Sequence, residues 1–557
     1  MTPLTAAERR ITRREWLWLA AASLLAMAVF SAPYLVALRS QTEAMRFGGH
    51  LLGIIDANTY IAKMRYGANG PWLLKRVYTT APHAGGFAYF HYILLGKLAA
   101  WVTGQGAHVR TSTLLVAFHA MRVAAGLALL AVIYRFAADY LRTPAQRRLA
   151  WAVASFAGGL GFAGEVARAA AGAGASASTA VEYYVPEAFT MLLLYGLPHL
   201  AAARALLIGG WLVFFRAVDG TSWRRALLAG ALWAGMSVII PFDAALLGVL
   251  IAAWLLALWI AQRHFPLAEL RLAAVAGAPP LTLLLYDAWL FTQNPVFAIW
   301  ARQNALPSPA LGAYLMAYGL LLAFVAVGLA AVFRHPLTRR RALLVSWPLA
   351  ALVMAYLPVG VQRRLLEGVI VPLGVLAAFG IWRLVGEPPE EGAGLRLGWR
   401  LRQVGVSAVV MVLFGSAILL VGGGLLAART PREPAFLPAG QVAALNWLRE
   451  EAPPGSVVLA TYETGNVIPA YAGVRVYIGH GPETVDARRK EAEARAFFLG
   501  GMTDDSRRAL LDTAGADYVY IGPAEASSCP VCFDPAALGL RPVYDAGGVT
   551  IYAVEGR

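Results

Sequence analysis

"GHLLGIIDANTYIAKMRYGANGPWLLKRVY", residues 49–78, follows directly on the first hydrophobic run of the chain. It places an acid, tyrosines and several basic residues where a membrane protein normally has a plain connection. Helical periodicity over 54–68 puts Ile54, Ala57, Ile61, Met64 and Ala68 on one face. Asp56, Thr59, Tyr60 and Lys63 fall on the opposite face. The pattern predicts an interfacial helix, its apolar side against lipid headgroups and its polar side presented for chemistry. The alternative is a solvated polar face with an Asp56–Lys63 pairing of no consequence.

The composition around this stretch decides the class. The chain has 557 residues, 59% hydrophobic and 14% charged, which excludes an ordinary soluble protein. The formal charge of +15 would suit a nucleic-acid binder, but the basic residues form short clusters between apolar runs, the mark of the positive-inside rule. Nucleic acid is therefore excluded as a partner. A bilayer core requires about 20 apolar residues per helix. Eleven spans are read at 16–38, 111–134, 149–170, 188–216, 226–243, 244–262, 269–290, 311–333, 342–358, 365–385 and 404–427. The first is a retained anchor rather than a cleaved signal, and the fourth is broken near Pro198.

Parity then places "RRITRRE", "LRTPAQRR", "RAVDGTSWRR", "AQRH", "RHPLTRRR" and "LRLGWRLRQ" on the inner side. The N-terminus is inside, and residues 39–110, 171–187, 291–310, 358–364 and 428–557 lie outside. The first outer loop, 39–110, is itself basic, which long loops tolerate. Within it "FAYFHYILLGKLAAWV", residues 87–102, is too short to span and is placed as a juxtamembrane helix. The expected location is an inner (plasma) membrane.

After residue 430 strands and helices alternate. "SVVLATY", "VRVYIG" and "DYVYIGP" read as strands, and the end folds as a hairpin around Gly547-Gly548. Residues 1–430 form a transmembrane domain and 431–557 a small extracytoplasmic α/β domain. In it "CPVC", Cys529 and Cys532, is a weak zinc signal and a candidate local disulfide.

The whole arrangement resembles the GT-C glycosyltransferases, which include protein mannosyltransferases, the aminoarabinose transferase and oligosaccharyltransferases. The resemblance rests on Asp56 in "IIDANTY", the basic "LLKRVY", the acids of "VEYYVPEAFT", the loop "NPVFAIWARQNALPSP" and the arginine pair of "PVGVQRRLLEGVIVPL". It implies a mostly helical GT-C-like fold, an inverting transfer of sugar from a polyprenyl-phosphate donor, and a lipid, glycan or protein acceptor. Members often carry paired acids in the first loop; here Ala57 and Asn58 follow Asp56, which leaves dependence on Mg or Mn open.

The chemistry requires a base for the acceptor hydroxyl and cations for the departing phosphate. Asp56 is the expected catalytic base. Arg363, Arg364, Lys75 and Arg76 are candidates for the donor phosphate, because guanidinium forks and ammonium groups suit it; the alternative for each is snorkelling to lipid headgroups. Glu187 and Glu182 are candidates for a second acid or a metal ligand. Tyr60, Lys63, His83, His91 and His199 are candidate substrate contacts, as are His480 and Glu483 in "IGHGPET", beside a strand end. Two other readings stay open: a flippase for a lipid-linked sugar, which calls for repeat symmetry and interrupted spans, and a binding scaffold without chemistry.

Overall fold

The computed structural model describes residues 4–5, 7–172, 180–386, 393–528 and 533–556. Cys529 and Cys532 lie outside the described residues, as does most of the Ala/Gly/Ser run at 169–178. The chain forms two compact units. One comprises Met1–Ser31, Arg122–Asp287 and Leu306–Gly424; the other comprises Ala32–Met121, Ala288–Ala305 and Leu425–Arg557.

Helices occupy all eleven stretches read as spans. Six are long and apolar enough to cross a bilayer by themselves, and bent pairs bring the number to eight. The bends are 48° between Pro144–Phe156 and Gly161–Ala170 and 44° between Arg396–Val412 and Gly415–Arg429. The three others, Trp223–Ile239, Arg339–Met354 and Ile370–Val385, have 17, 16 and 16 residues. The break expected at Pro198 is present: helix Thr190–Gly196 stops at Leu197 and Pro198 opens helix Pro198–Asp219, where its missing N–H costs nothing.

In the first unit Trp211, Trp233 and Trp254 are fully buried together. Each indole of the latter two still finds a carbonyl, Leu207 O at 3.1 Å and Arg339 O at 2.7 Å, as a buried donor requires. The arginine-dense connectors meet in this unit. Arg340 bonds both Asp139 and Asp219, and Arg339 bonds Glu269.

The second unit joins the 39–110 loop to the chain after 430. Strand β1 (Met45–Phe47) pairs antiparallel with β2 (Phe436–Pro438). Five strands make the main sheet: β3 (Val457–Leu459), β4 (Arg475–Val476), β5 (Tyr518–Ile521), β6 (Leu540–Ala546) and β7 (Val549–Val554). Their order is β4-β3-β5-β7-β6, with β3 parallel to β4 and β5, and β7 antiparallel to β5 and β6. The predicted hairpin is there: Gly547 and Gly548 have φ of 62° and 76°, the left-handed pair a tight turn demands.

Strand β3 is apolar throughout because both its faces are covered. Val458 belongs to a core shared with Ile61, Met64, Tyr92, Leu445 and Ile468. Leu459 faces Phe497, Leu510 and Leu511. This corrects one expectation. Helix Ile54–Ala68 has the predicted limits, but Ile61 and Met64 are packed inside protein, not laid on headgroups. They gain more there, since a buried methylene contacts close-packed neighbours on every side. The helix crosses helix Phe90–Thr103 so closely that a Cβ on Gly96 would lie 1.7 Å from Met64 O.

Candidate active site

Asp56 sits in the first turn of helix Ile54–Ala68, where Gly53 (φ 54°) turns the chain into the helix and the helix dipole favours an anion. Its side chain is 65% exposed, and its Oδ1 lies 3.1 Å from Nε2 of His480, whose side chain is 7% exposed. An ionised carboxylate only accepts hydrogen bonds, so Nε2 carries the proton and donates it. Nδ1 of His480 is buried with no protein partner among the described residues.

The residues that hold this pair come from far apart in sequence. Asn466, on helix Tyr462–Tyr471, accepts from Asn58 Nδ2 at 2.8 Å and donates to Ile55 O at 3.1 Å and Gly479 O at 3.0 Å. It thereby ties the backbone next to Asp56 to the backbone next to His480. Tyr78 Oη donates to Asn466 O, and Thr484 Oγ1 donates to Tyr78 O. Gln303, closing helix Pro295–Gln303, donates to the carbonyls of Gly481, Pro482 and Thr484. The loop after β4 is thus fixed from three directions.

Beneath the pair is a buried ionic group. Glu483 Oε1 lies 2.7 Å from Lys63 Nζ and 3.0 Å from Arg76 Nη1. Burial opposes ionisation of Glu483, but Lys63 and Arg76 outweigh it and hold the carboxyl at about 2. Burial depresses the Lys63 ammonium below the usual lysine range, while Glu483 pulls it back up. The Arg76 guanidinium is enclosed by the rings of Trp300 (4.1 Å), Phe297 (4.9 Å) and Tyr89 (5.6 Å).

These contacts revise several expected roles. Arg76 is buried and stands beside Glu483, while its side-chain nitrogens make no hydrogen bond among the described residues. Lys63 and Glu483 form an internal ion pair rather than substrate contacts, because the helix face that carries Lys63 is covered by the 480–484 loop. His83 spends both ring nitrogens locally: Nδ1 donates to Ala81 O at 2.9 Å and Nε2 accepts from Arg76 N–H at 2.8 Å. His91 is buried beside Tyr92 and Lys63, and burial pushes it down to about 3, so it stays neutral. Tyr60 stacks on Tyr92 at 5.0 Å. Lys75 is exposed.

The other expected residues belong to the first unit. Glu182 accepts from Gly161 N at 2.7 Å and Ser416 Oγ at 3.2 Å and so clamps the bend after Phe156. His199 is buried in the first turn of its helix. Glu187 is buried and lies 3.8 Å from Arg364 Nε. Arg364 also covers Phe242, and Arg363 covers the Tyr184 ring at 5.7 Å. The sequence reading missed Asn466, Gln303 and Trp300. The last two fall within the quoted loop "NPVFAIWARQNALPSP", whose polar and aromatic mix was their only signal.

Among the described residues no group of three or more His, Cys, Asp or Glu side chains is arranged to hold a metal ion. Mg or Mn, which the sequence leaves open, therefore gains no ligand set among the described residues.

No protein-family model and no curated protein matches the sequence. Solved structures do. The apo oligosaccharyltransferase of Archaeoglobus fulgidus aligns over 97% of this chain and 74% of its own, with TM-score 0.56 and 12% identity. ArnT from Cupriavidus metallidurans, bound to undecaprenyl phosphate, aligns over 98% of this chain and 99% of its own, with TM-score 0.52 and 13% identity. The arabinofuranosyltransferase AftD from Mycobacteria aligns over 98% of this chain and 42% of its own, with TM-score 0.54 and 16% identity. All three are GT-C proteins. The chain has the GT-C fold. Identities this low establish the fold and leave the chemistry to be argued from the site. The expectation of a GT-C-like fold is met, and the chain is a membrane protein by its long apolar helices.

Proposed function

We propose that this GT-C protein is a glycosyltransferase that moves a sugar from a polyprenyl-phosphate donor to an acceptor hydroxyl, with Asp56 as the general base. The observation that carries the reading is an exposed carboxylate held by a buried histidine, in a fold shared with a protein seen bound to undecaprenyl phosphate. An acid that is both exposed and held by a histidine can be reached by a hydroxyl while its orientation is kept.

In the proposed reaction Asp56 takes the acceptor O–H proton as that oxygen bonds to the anomeric carbon. The bond from that carbon to the phosphate oxygen breaks, and its electron pair leaves with polyprenyl phosphate. One displacement inverts the anomeric centre. Asp56, and not Glu483, takes the proton because Glu483 is enclosed and held as an anion by Lys63 and Arg76. The proposed orientation keeps the N-terminus inside and residues 428–557 outside.

The test is incubation of the purified chain with a panel of undecaprenyl-phosphate monosaccharides and an extract of envelope glycans and lipids. Chromatographic appearance of undecaprenyl phosphate from one donor, dependent on the extract, is expected. No release from any donor overturns the reading.

A further inference from the structure

In the first unit a cavity of about 450 Å³ opens where the N-terminal segment meets the arginine-dense connectors. Its wall carries five arginines, Arg9, Arg10, Arg135, Arg216 and Arg340, against two aspartates, Asp139 and Asp219. The aspartates are already satisfied. Arg135 Nη1 bonds Asp139 Oδ1 at 2.7 Å, and Arg340 bonds Asp219 through both Nη atoms, at 3.1 and 2.6 Å. Arg340 Nε also reaches Asp139 Oδ2 at 3.4 Å. Among the described residues no carboxylate pairs with Arg9, Arg10 or Arg216. The cavity therefore holds cationic charge beyond what its own acids neutralise.

The wall is also set in place beforehand. Buried Arg147, on helix Pro144–Phe156, donates to the carbonyls of Glu8 and Arg10 and to Glu15 Oε1 at 2.8 Å. Thr12 and Glu15 cap helix Arg13–Arg39 reciprocally, Thr12 N–H to Glu15 Oε2 at 2.9 Å and Glu15 N–H to Thr12 Oγ1 at 3.3 Å. The segment that carries Arg9 and Arg10 is thus fastened to the helices on both sides of them. Gathering like charges without a counterion costs energy unless an anion is there to receive them.

The rim says which anion. Trp16 lines the cavity and is exposed, and on the same helix Leu17, Leu24 and Leu25 are exposed in turn. An indole beside arginines at the start of an apolar helix face is the arrangement found at the membrane interface. A soluble phosphate would gain from the arginines alone. A phospholipid gains from both, with its headgroup among the guanidiniums and its chains along the leucines. We infer that this cavity is a binding site for the headgroup of an anionic phospholipid, separate from the Asp56 site and independent of the proposed transfer reaction.

The experiment is native mass spectrometry of the purified, delipidated full chain. The probes are phosphatidylglycerol and phosphatidylcholine with identical acyl chains, and glycerol 3-phosphate as the soluble phosphate. Expected is a preference for phosphatidylglycerol of about tenfold or more, the scale of two or three guanidinium–phosphate contacts. Arg9→Gln/Arg216→Gln should remove that preference and leave phosphatidylcholine binding unchanged, while millimolar glycerol 3-phosphate should not displace the lipid. Equal binding of the two lipids overturns the inference, and so does a preference that survives the double replacement. Displacement by glycerol 3-phosphate would reassign the cavity to a soluble phosphate and overturn the lipid assignment. Each single replacement should lose part of the preference, so a double variant that fails to fold still leaves a decisive result.

Discussion

Oδ1 of Asp56 lies 3.1 Å from Nε2 of His480, although 424 residues separate them in the chain. The contact joins the 39–110 loop to the loop after β4, and it makes the orientation of the carboxylate a property of the C-terminal sheet.

His480 is accordingly a positioning residue. His480→Ala should lower kcat by about 10- to 100-fold, the cost of a misplaced reacting group, with KM for the donor nearly unchanged. His480→Gln, which keeps a donor at similar reach, should recover part of the loss. Equal loss in both variants, or a loss confined to KM, would contradict the role. Asn466→Ala should mimic His480→Ala, since it unties Ile55 from Gly479.

The ionic group beneath the site makes an asymmetric prediction. Glu483→Gln leaves Lys63 and Arg76 buried without an anion and should cost about 3–5 kcal/mol of stability. Lys63→Met leaves the Arg76–Glu483 pair in place and should cost less. Thermal melting of the two variants checks the order. Glu483 ionises at about 2 in the fold against a reference of 4.5. Its contribution is therefore complete above the reference value and lost as pH falls from there toward 2. In Glu483→Gln that part of the acid dependence should disappear.

Much of this unit was legible in the sequence. The period from Ile54 to Ala68 marks the helix ends, and "SVVLATY", "DYVYIGP" and Gly547-Gly548 mark the sheet and its turn. What each polar side chain faces was not legible. Lys63 shares a helix face with Asp56, and nothing local says that one points to solvent and the other to Glu483, 420 residues away. Basic residues near a membrane rim read as phosphate ligands by default; Arg76 is enclosed by Trp300 and Phe297, which arrive on helix Pro295–Gln303. The pairing of the 39–110 loop with the chain after 430 was not legible because β1 and β2 are three residues each.

Topology is checked by single cysteines at Ser222 and Ala443 in a background with Cys529 and Cys532 replaced by serine. Impermeant thiol reagent on intact cells should label Ala443→Cys and spare Ser222→Cys. Labelling of Ser222→Cys alone would invert the orientation and remove the outer-face site.

The most direct measurement is turnover of Asp56→Asn, which keeps size and hydrogen bonding but removes the basic oxygen. With the donor identified from the panel, release of undecaprenyl phosphate should fall by about 10²–10⁴-fold, the usual weight of general acid–base catalysis. Melting temperature and donor binding should stay near wild type. Near-native turnover in Asp56→Asn would contradict the account, and loss of wild-type turnover in chelator would reassign Asp56 from base to metal ligand.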